Sequence, residues 1–96
     1  MSKQRLSVRY EGRVQGVGFR MNVAEVARAF AVTGRVANVQ DGSVDLQAEG
    51  NQQELLRFQA AIRQRLDRFI TRDHQRWSDV TQESWSDFSI GADLER

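Results

Sequence analysis

A glycine-rich segment, residues 12–18, separates two stretches whose apolar side chains recur with different periods, and it constrains the fold more than any other feature. Before it, Leu6, Val8 and Tyr10 alternate with polar residues, which is the pattern of a half-buried β-strand. After it, residues 20–31 carry an apolar stripe with the spacing of an amphipathic helix. The stripe consists of Val23, Val26, Ala27 and Phe30. The sequence therefore predicts a strand joined to a helix through a sharp glycine turn.

Thr33-Gly34 ends this helix, and residues 35–49 have the pattern of a β-hairpin around Asp41-Gly42, a favoured type I′ turn pair. In a hairpin with a two-residue turn, the residues of the two strands pair outward from the turn. This pairing predicts one apolar face, against which helices can pack, and one polar face. The predicted apolar pairs are Val39 with Val44, Ala37 with Leu46 and Arg35 with Ala48, and the polar pair is Asn38 with Asp45.

A second helix is predicted to begin at Asn51, an N-cap residue with Glu54 three positions later, and to run to about residue 70. Its apolar stripe is Leu55, Phe58, Ile62, Leu66, Phe69 and Ile70. Short strands are expected at 77–81 and 87–90. The order β-α-β-β-α-β, with room for a final short strand, predicts a ferredoxin-like α/β (α+β) sandwich, an antiparallel sheet with both helices on one face.

Composition narrows the class of protein further. A chain of 96 residues fits one domain, which we expect to span 1–96. It contains no cysteine and one histidine, His74, which excludes a disulfide scaffold, a thiolate metal site and a multi-histidine centre. Apolar runs are only a few residues long, so we expect no membrane span or signal peptide and a cytoplasmic location. The net charge of +1 is far from that of a nucleic-acid-binding polycation.

The segment Gln15-Gly16-Val17-Gly18-Phe19-Arg20 lies where the strand gives way to the helix. Glycines there let successive N–H groups converge, and a helix N-terminus favours an anion. A cation in the first helical turn, here Arg20, is unfavourable unless an anion lies beside it, and a guanidinium matches phosphate in a bidentate way. On spacing alone, the alternative is an ordinary turn followed by a surface arginine. The dinucleotide fingerprint fails, since Met21 replaces its third glycine, and no P-loop is present.

Asn38 is the polar residue in an otherwise apolar stretch, 36–39. A carboxamide both donates and accepts hydrogen bonds, so it can hold a water molecule and a substrate oxygen together. The alternative is a solvent-facing strand residue opposite Asp45. His74 is interpreted as an ordinary loop residue, and Trp77, Trp85 and Phe88 as packing side chains.

Four blocks together resemble the acylphosphatase family: Gly-Arg-Val-Gln-Gly-Val-Gly-Phe-Arg at 12–20, Gly-Arg-Val-Ala-Asn at 34–38, Asp-Gly-Ser-Val at 41–44 and Glu-Gly at 49–50. The likeness covers residues 5–66 and resumes weakly at 88–90. The resemblance implies a ferredoxin-like sandwich that hydrolyses the carboxyl–phosphate bond of acyl phosphates without metal. We also expect a monomer that needs no cofactor, with inorganic phosphate as product and inhibitor. The resemblance also implies that Asn38 orients the attacking water. The implied phosphoryl-binding residues are Gln15, Gly16, Val17, Gly18, Phe19 and Arg20.

The chain departs from the family pattern at two places. Arg35 stands where members often have an aromatic residue, and the Gly-Pro turn usual after the second helix is missing, so 67–76 has the pattern of a helix extension and a loop. Two alternative functions share parts of this pattern. A non-catalytic relative would only bind a phosphorylated metabolite. RNA-recognition domains share the strand order but place aromatics on the central strands, and residues 43–49 have none, so no nucleic-acid partner is expected.

Overall fold

The computed structural model describes residues 3–95, which form one five-stranded sheet and two α-helices. In chain order the elements are β1 Gln4–Gly12, α1 Phe19–Ala27, β2 Thr33–Asn38, β3 Val44–Gly50, α2 Gln52–Leu66, a 3-10 turn Asp67–Phe69, β4 Ile70–Asp79 and β5 Phe88–Ile90. Across the sheet the strands lie in the order β4-β1-β3-β2-β5. Neither helix within 3–95 is both long and apolar enough to cross a membrane.

The sheet is mixed, because its last strand is parallel to its neighbour. β1 is antiparallel to β3 and β4, and β2 is antiparallel to β3, whereas β5 is parallel to β2. Strand β4 ends at the same end of the sheet at which β2 begins. Residues 80–87 run along that end of the sheet from β4 to β5, so β5 enters the sheet in the same direction as β2. The ferredoxin-like prediction is confirmed, and the expectation of a wholly antiparallel sheet was wrong at this one strand.

The core lies between one face of the sheet and the two helices, and both predicted helical stripes contribute to it. The buried members include Leu6, Val8, Tyr10, Val23, Val26, Leu46, Leu55, Phe58, Ile62 and Leu66. Helix α2 is capped as predicted, since the Asn51 side chain accepts the Glu54 N–H at 2.8 Å. The Glu54 carboxylate accepts instead from the Ala31 N–H, also at 2.8 Å, and so fixes the chain between α1 and β2 to the start of α2.

The hairpin register differs from the predicted one by a single residue. Asn38 lies opposite Val44 and Ala37 opposite Asp45, because the turn has three residues rather than two. The Gly42 N–H donates to the Val39 carbonyl at 3.0 Å with Gly42 at φ 96°, which is the geometry of a type I turn followed by a left-handed residue. Since paired residues share a face, Asn38 belongs to the helix-covered side with Val44, and its predicted place on the polar face was wrong.

The chain after α2 forms a strand where a helix extension and loop were expected. Helix α2 ends at Leu66, and β4 runs for 10 residues along the edge of the sheet. His74 is therefore a strand residue, with its Nε2 2.8 Å from a carboxylate oxygen of Glu11. Both faces of β4 are largely polar, so the alternation that identifies a half-buried strand is absent from its sequence. Helix α1 also ends earlier than predicted, at Ala27.

Candidate active site

The loop between β1 and α1, residues 13–18, is held by hydrogen bonds to two neighbouring segments. The Arg13 N–H donates to the Phe69 carbonyl at 2.9 Å, and Val14 is buried. The Gln15 side-chain amide donates to the carbonyls of Val39 and Ser43, each at 2.8 Å. These bonds hold the loop against the β2–β3 hairpin, so its conformation is fixed by both neighbouring segments.

Two glycines give this loop its shape. Gly16 and Gly18 both have φ 77°, a left-handed conformation that residues with a Cβ adopt at a cost. Nothing lies within 4 Å of a Cβ built on Gly16, so backbone conformation and not crowding requires glycine there. Gly18 is the N-cap of α1, and the first helical bond runs from the Asn22 N–H to the Gly18 carbonyl at 3.0 Å. The preceding amides at the helix start have no acceptor within the helix, which suits an anion.

Arg20, the second residue of α1, adds a full positive charge to this helix end. No acidic side chain lies in the first turn of α1. The nearest counter-charge is the Asp93 carboxylate, 3.8 Å from the guanidinium, and Asp93 is largely exposed. The positive end of the helix dipole and the positively charged guanidinium therefore lie at the same place, an arrangement that a bound anion stabilises.

Asn38, the last residue of β2, lies beside the same loop. Its backbone carbonyl accepts the Leu94 N–H at 2.8 Å, which fixes the strand end. Its side-chain oxygen is buried and has no hydrogen-bond partner among residues 3–95. Buried polar atoms in proteins are rarely left without a partner, and a bound water, ion or catalytic role is among the reasons for an exception. The carboxamide is therefore available to a bound molecule.

These groups line one small cleft of about 160 Å³. Of the predicted site residues, the cleft brings together Gly16, Gly18, Phe19, Arg20 and Asn38. Gln15 and Val17 are not in its lining, and the Gln15 side chain is engaged by the hairpin. The Phe19 ring is buried against Tyr10, with centroids 5.2 Å apart, so Phe19 offers the cleft its backbone.

The family model for acylphosphatase matches residues 6–90, which is most of the chain. This chain belongs to the acylphosphatase family. It is 36% identical over 85 residues to the acylphosphatase of Lactiplantibacillus plantarum, covering 88% of this chain and 94% of that one. It is 51% identical over 53 residues to the acylphosphatase of Thermotoga petrophila, a match that spans 55% of this chain and 59% of the relative.

The crystal structure of acylphosphatase from Bacillus subtilis superposes with a TM-score of 0.80 at 31% identity, covering 92% of this chain and 98% of that chain. The family model extends to residue 90 and so includes β4 and β5, where the sequence resemblance was weak or absent. The acylphosphatase fold is therefore retained in this chain although the Gly-Pro turn after α2 is missing.

Three residues that line the cleft were not among the predicted site residues: Val14, Met21 and Ile90. Met21 follows Arg20 in the first turn of α1, and this adjacency was a usable signal. Ile90 reaches the cleft only through the parallel pairing of β5 with β2, where it lies opposite Val36. Pairing between segments more than fifty residues apart leaves no mark in the local sequence pattern.

The cleft of this acylphosphatase-family chain holds a single ionisable side chain among the residues described, Arg20. Groups with shifted pKa values lie elsewhere. Burial, together with the Asp73 carboxylate, raises the pKa of Tyr10 above its ordinary value, and Tyr10 lies in the core. The cleft is therefore built for binding and charge stabilisation, and proton transfer by a side chain has no candidate among its lining residues.

Proposed function

We propose that this chain hydrolyses the carboxyl–phosphate bond of acyl phosphates, giving a carboxylate and inorganic phosphate, by direct attack of water and without a metal ion. The observation that carries the proposal is the meeting, in one cleft, of the α1 N-terminus, the Arg20 guanidinium and the unpartnered Asn38 carboxamide. Family membership supports it.

In this proposal the phosphoryl group binds to the amides of 15–20 and to Arg20. Phosphoryl transfer depends mainly on positioning and on stabilising charge at the phosphoryl oxygens. A guanidinium can bind two of these oxygens at once, and amides fixed by the Gly16 and Gly18 turns do not reorganise during the reaction. Gln15 and Val17 take part through their backbone only.

Asn38 orients the nucleophile. Its side-chain oxygen accepts a hydrogen bond from water, whose oxygen attacks phosphorus as the bond from phosphorus to the acyl oxygen breaks. The carboxylate leaves with the bonding electrons, and the proton of the water passes to the product phosphate or to solvent. A carboxylic acid has a pKa of about 4, so the leaving group needs no strong general acid.

Metal independence is supported by the available donors. Among residues 3–95, no group of three or more His, Cys, Asp or Glu side chains is placed to hold a metal ion. A covalent phosphoenzyme has no obvious nucleophile either, because the chain has no cysteine and His74 is a β4 residue outside the cleft lining.

We also propose that 1–96 acts as one domain. A cytoplasmic location, a monomeric state and the absence of a nucleic-acid partner stay predictions.

The deciding experiment measures hydrolysis of benzoyl phosphate by the purified protein with EDTA present. We expect turnover that EDTA does not diminish and that inorganic phosphate inhibits competitively. Loss of activity in EDTA with recovery on adding a divalent metal would contradict the metal-free mechanism. Binding of phosphate without any hydrolysis would assign the cleft to a non-catalytic protein that binds a phosphorylated metabolite.

A further inference from the structure

The face of the sheet opposite the two helices is polar and carries arginines from β1, β2 and β4. In β1 the residues that alternate with the buried Leu6, Val8 and Tyr10 point to this face, and paired residues on neighbouring strands share it. We call it the open face. Its arginines on these strands are Arg5, Arg9, Arg35, Arg72 and Arg76, and its strand carboxylates are Glu11, Asp45 and Glu49.

Three of the open-face arginines have no counter-charge. Among residues 3–95, Arg35, Arg72 and Arg76 form no ion pair. Arg5, in contrast, is engaged by the buried carboxylate of Glu49 at 2.6 Å. An excess of guanidinium groups on one face favours an anion, because a guanidinium can bind a phosphate or carboxylate through two parallel hydrogen bonds.

A groove of about 560 Å³ crosses the open face over β3, β1 and β4. It lies around Ser7, which is flanked on the same face of β1 by the much longer Arg5 and Arg9. Ser7 is opposite Gln47 on β3 and Arg76 on β4, and its hydroxyl donates to the Gln47 side-chain oxygen at 2.7 Å. The groove therefore forms where a short side chain is surrounded by long polar ones.

Arg9, His74 and Arg76 bring three basic side chains to this groove. His74 is directly opposite Arg9, and Arg76 is the diagonal neighbour of Arg9, at about 7–8 Å by strand geometry. Arg9 Nη2 is 3.2 Å from Glu11, but Arg9 Nε is buried and has no acceptor among residues 3–95. A buried donor without an acceptor costs free energy, which an anion bound beside the guanidinium can offset.

The carboxylate of Asp45 also lines the groove and limits where an anion can bind. Asp45 is on β3, on the side of Arg9 away from His74, and its two oxygens accept from the Gln47 amide, each at 3.3 Å. The groove is therefore basic over β4 and acidic over β3. An anionic group fits beside Arg76 and His74, and a hydroxyl donor fits beside Asp45.

We propose that this groove is a second anion site, which binds a small organic phosphate that also carries hydroxyl groups. The three basic side chains suit a phosphate monoester, because it has close to two negative charges and three terminal oxygens. None of the described residues that line the groove is aromatic, so bases of a single-stranded nucleic acid have no surface on which to stack. The site lies on the opposite face of the sheet from Asn38 and α1, and it is independent of the proposed hydrolysis.

An amide NMR titration with glycerol 2-phosphate tests the site. We expect amides of 7–9, 45–47 and 74–76 to shift along one saturating curve, in addition to any shifts at 15–20. In Arg20→Gln the shifts at 15–20 should weaken and those on the open face should persist, which separates this site from the candidate active site. Shifts confined to 15–20 and 38 would overturn the proposal, whether or not the protein hydrolyses acyl phosphates.

Arg76→Gln is the most direct variant, because Arg76 forms no ion pair among residues 3–95 whose loss could disturb the fold. The open-face dissociation constant for glycerol 2-phosphate should rise by about fivefold, the effect of one exposed ion pair, and turnover of benzoyl phosphate should not change. Arg28→Gln replaces an exposed arginine at the end of α1 and should leave the open-face affinity unaltered. Equal open-face affinities in Arg76→Gln and the unmodified protein would overturn the proposal.

Methyl phosphate tests the part of the proposal that concerns hydroxyl groups. It has the same phosphate group as glycerol 2-phosphate but no hydroxyl donor for Asp45. We expect it to bind the open face at least about threefold more weakly, and Asp45→Ala should remove this difference, on the scale of one modest hydrogen bond. Equal affinities of the two phosphates in the unmodified protein would overturn the assignment of a hydroxyl-bearing ligand.

Discussion

The Arg20 guanidinium, which lines the cleft, lies 3.8 Å from the Asp93 carboxylate. The segment that carries Asp93 is fixed beside β2, because the Leu94 N–H donates to the Asn38 carbonyl and the Gln40 N–H to the Leu94 carbonyl, both at 2.8 Å. The same strand end therefore carries the carboxamide proposed to hold water and anchors a carboxylate that we expect to compete with phosphate for Arg20.

Replacing Asp93 by Asn should strengthen phosphate binding. An exposed ion pair contributes at most about 1 kcal/mol, so the inhibition constant of phosphate should fall by up to about fivefold and thermal stability should change little. The gain should shrink at 0.5 M salt, because exposed charges are screened. Glu95→Gln removes a neighbouring exposed carboxylate and serves as the control. Weaker phosphate binding in Asp93→Asn would show that Asp93 holds Arg20 in its productive position.

Arg20→Gln should abolish most hydrolysis and weaken phosphate inhibition, because it keeps much of the side-chain length and removes the charge. The expected loss in turnover is at least about a hundredfold, the scale for one transition-state donor. Arg20→Lys should restore little, since an ammonium cannot form the bidentate pair. Arg28→Gln, an exposed arginine at the other end of α1, is the matched control. Near-normal turnover in Arg20→Gln would contradict the site assignment.

Asn38→Ala should reduce turnover by about a hundredfold or more without lowering stability. The Asn38 side-chain oxygen is buried without a protein partner, so its removal relieves a desolvation cost and breaks no bond; we expect the free energy of unfolding to change by less than about 1 kcal/mol. Steady-state kinetics and thermal denaturation check the two halves separately. A variant that loses stability but keeps its turnover would make Asn38 a structural residue.

Glu49 should make folding sensitive to acid. Its buried carboxylate accepts from Arg5 Nε at 2.9 Å and Nη2 at 2.6 Å, and from the Ser84 N–H at 3.1 Å. Burial alone would raise the pKa of Glu49, but the hydrogen bonds from Arg5 and Ser84 outweigh it and lower the pKa from 4.5. A lowered folded-state pKa means that the stabilisation is present above the unfolded-state value and is lost as pH falls through the folded-state value.

Glu49→Gln should therefore lower the free energy of unfolding near pH 7 by about 1–3 kcal/mol, the range for hydrogen bonds to a charged group. It should also flatten the loss of stability below pH 4.5. Chemical denaturation at several pH values measures both effects, with Glu25→Gln, an exposed carboxylate, as the control. An acid profile identical to that of the unmodified protein would show that Glu49 does not set it.

Local sequence signals predicted the parts of the structure that local physics determines. The period change around 12–18, the Asn51 cap and the two helical stripes fixed the element order, and the glycine turn with Arg20 pointed to an anion site. Asn38 needed more than its local pattern, because its polar character alone fits a solvent-facing strand equally well. The resemblance of its block to a known family favoured a role in binding.

What the sequence did not reveal depends on contacts between distant segments. Strand β4 is stabilised by pairing with β1 and not by an apolar face of its own, so Ile70–Asp79 lacks the expected alternation. The position of Ile90 depends on a parallel partner far along the chain. The hairpin register depended on Asp41, whose carboxylate accepts from both the Ser43 N–H and its hydroxyl and so favours the three-residue turn.

That turn has a consequence for how the chain tolerates change in length. Hairpin turns are ordinarily sites where insertions and deletions do little harm. Here, deletion of Gln40 leaves Asp41 and Gly42 between Val39 and Ser43, which can still pair, so the register of β2 against β3 is unchanged. Deletion of Val39 instead keeps the three-residue turn and moves Asn38 into its place, and a shift of one residue sends every β2 side chain to the opposite face of the sheet. Asn38 would then be separated from Arg20 by the thickness of the sheet. Selection on the chemistry would therefore tolerate a change in the length of the exposed loop but not in the length of the strand that precedes it.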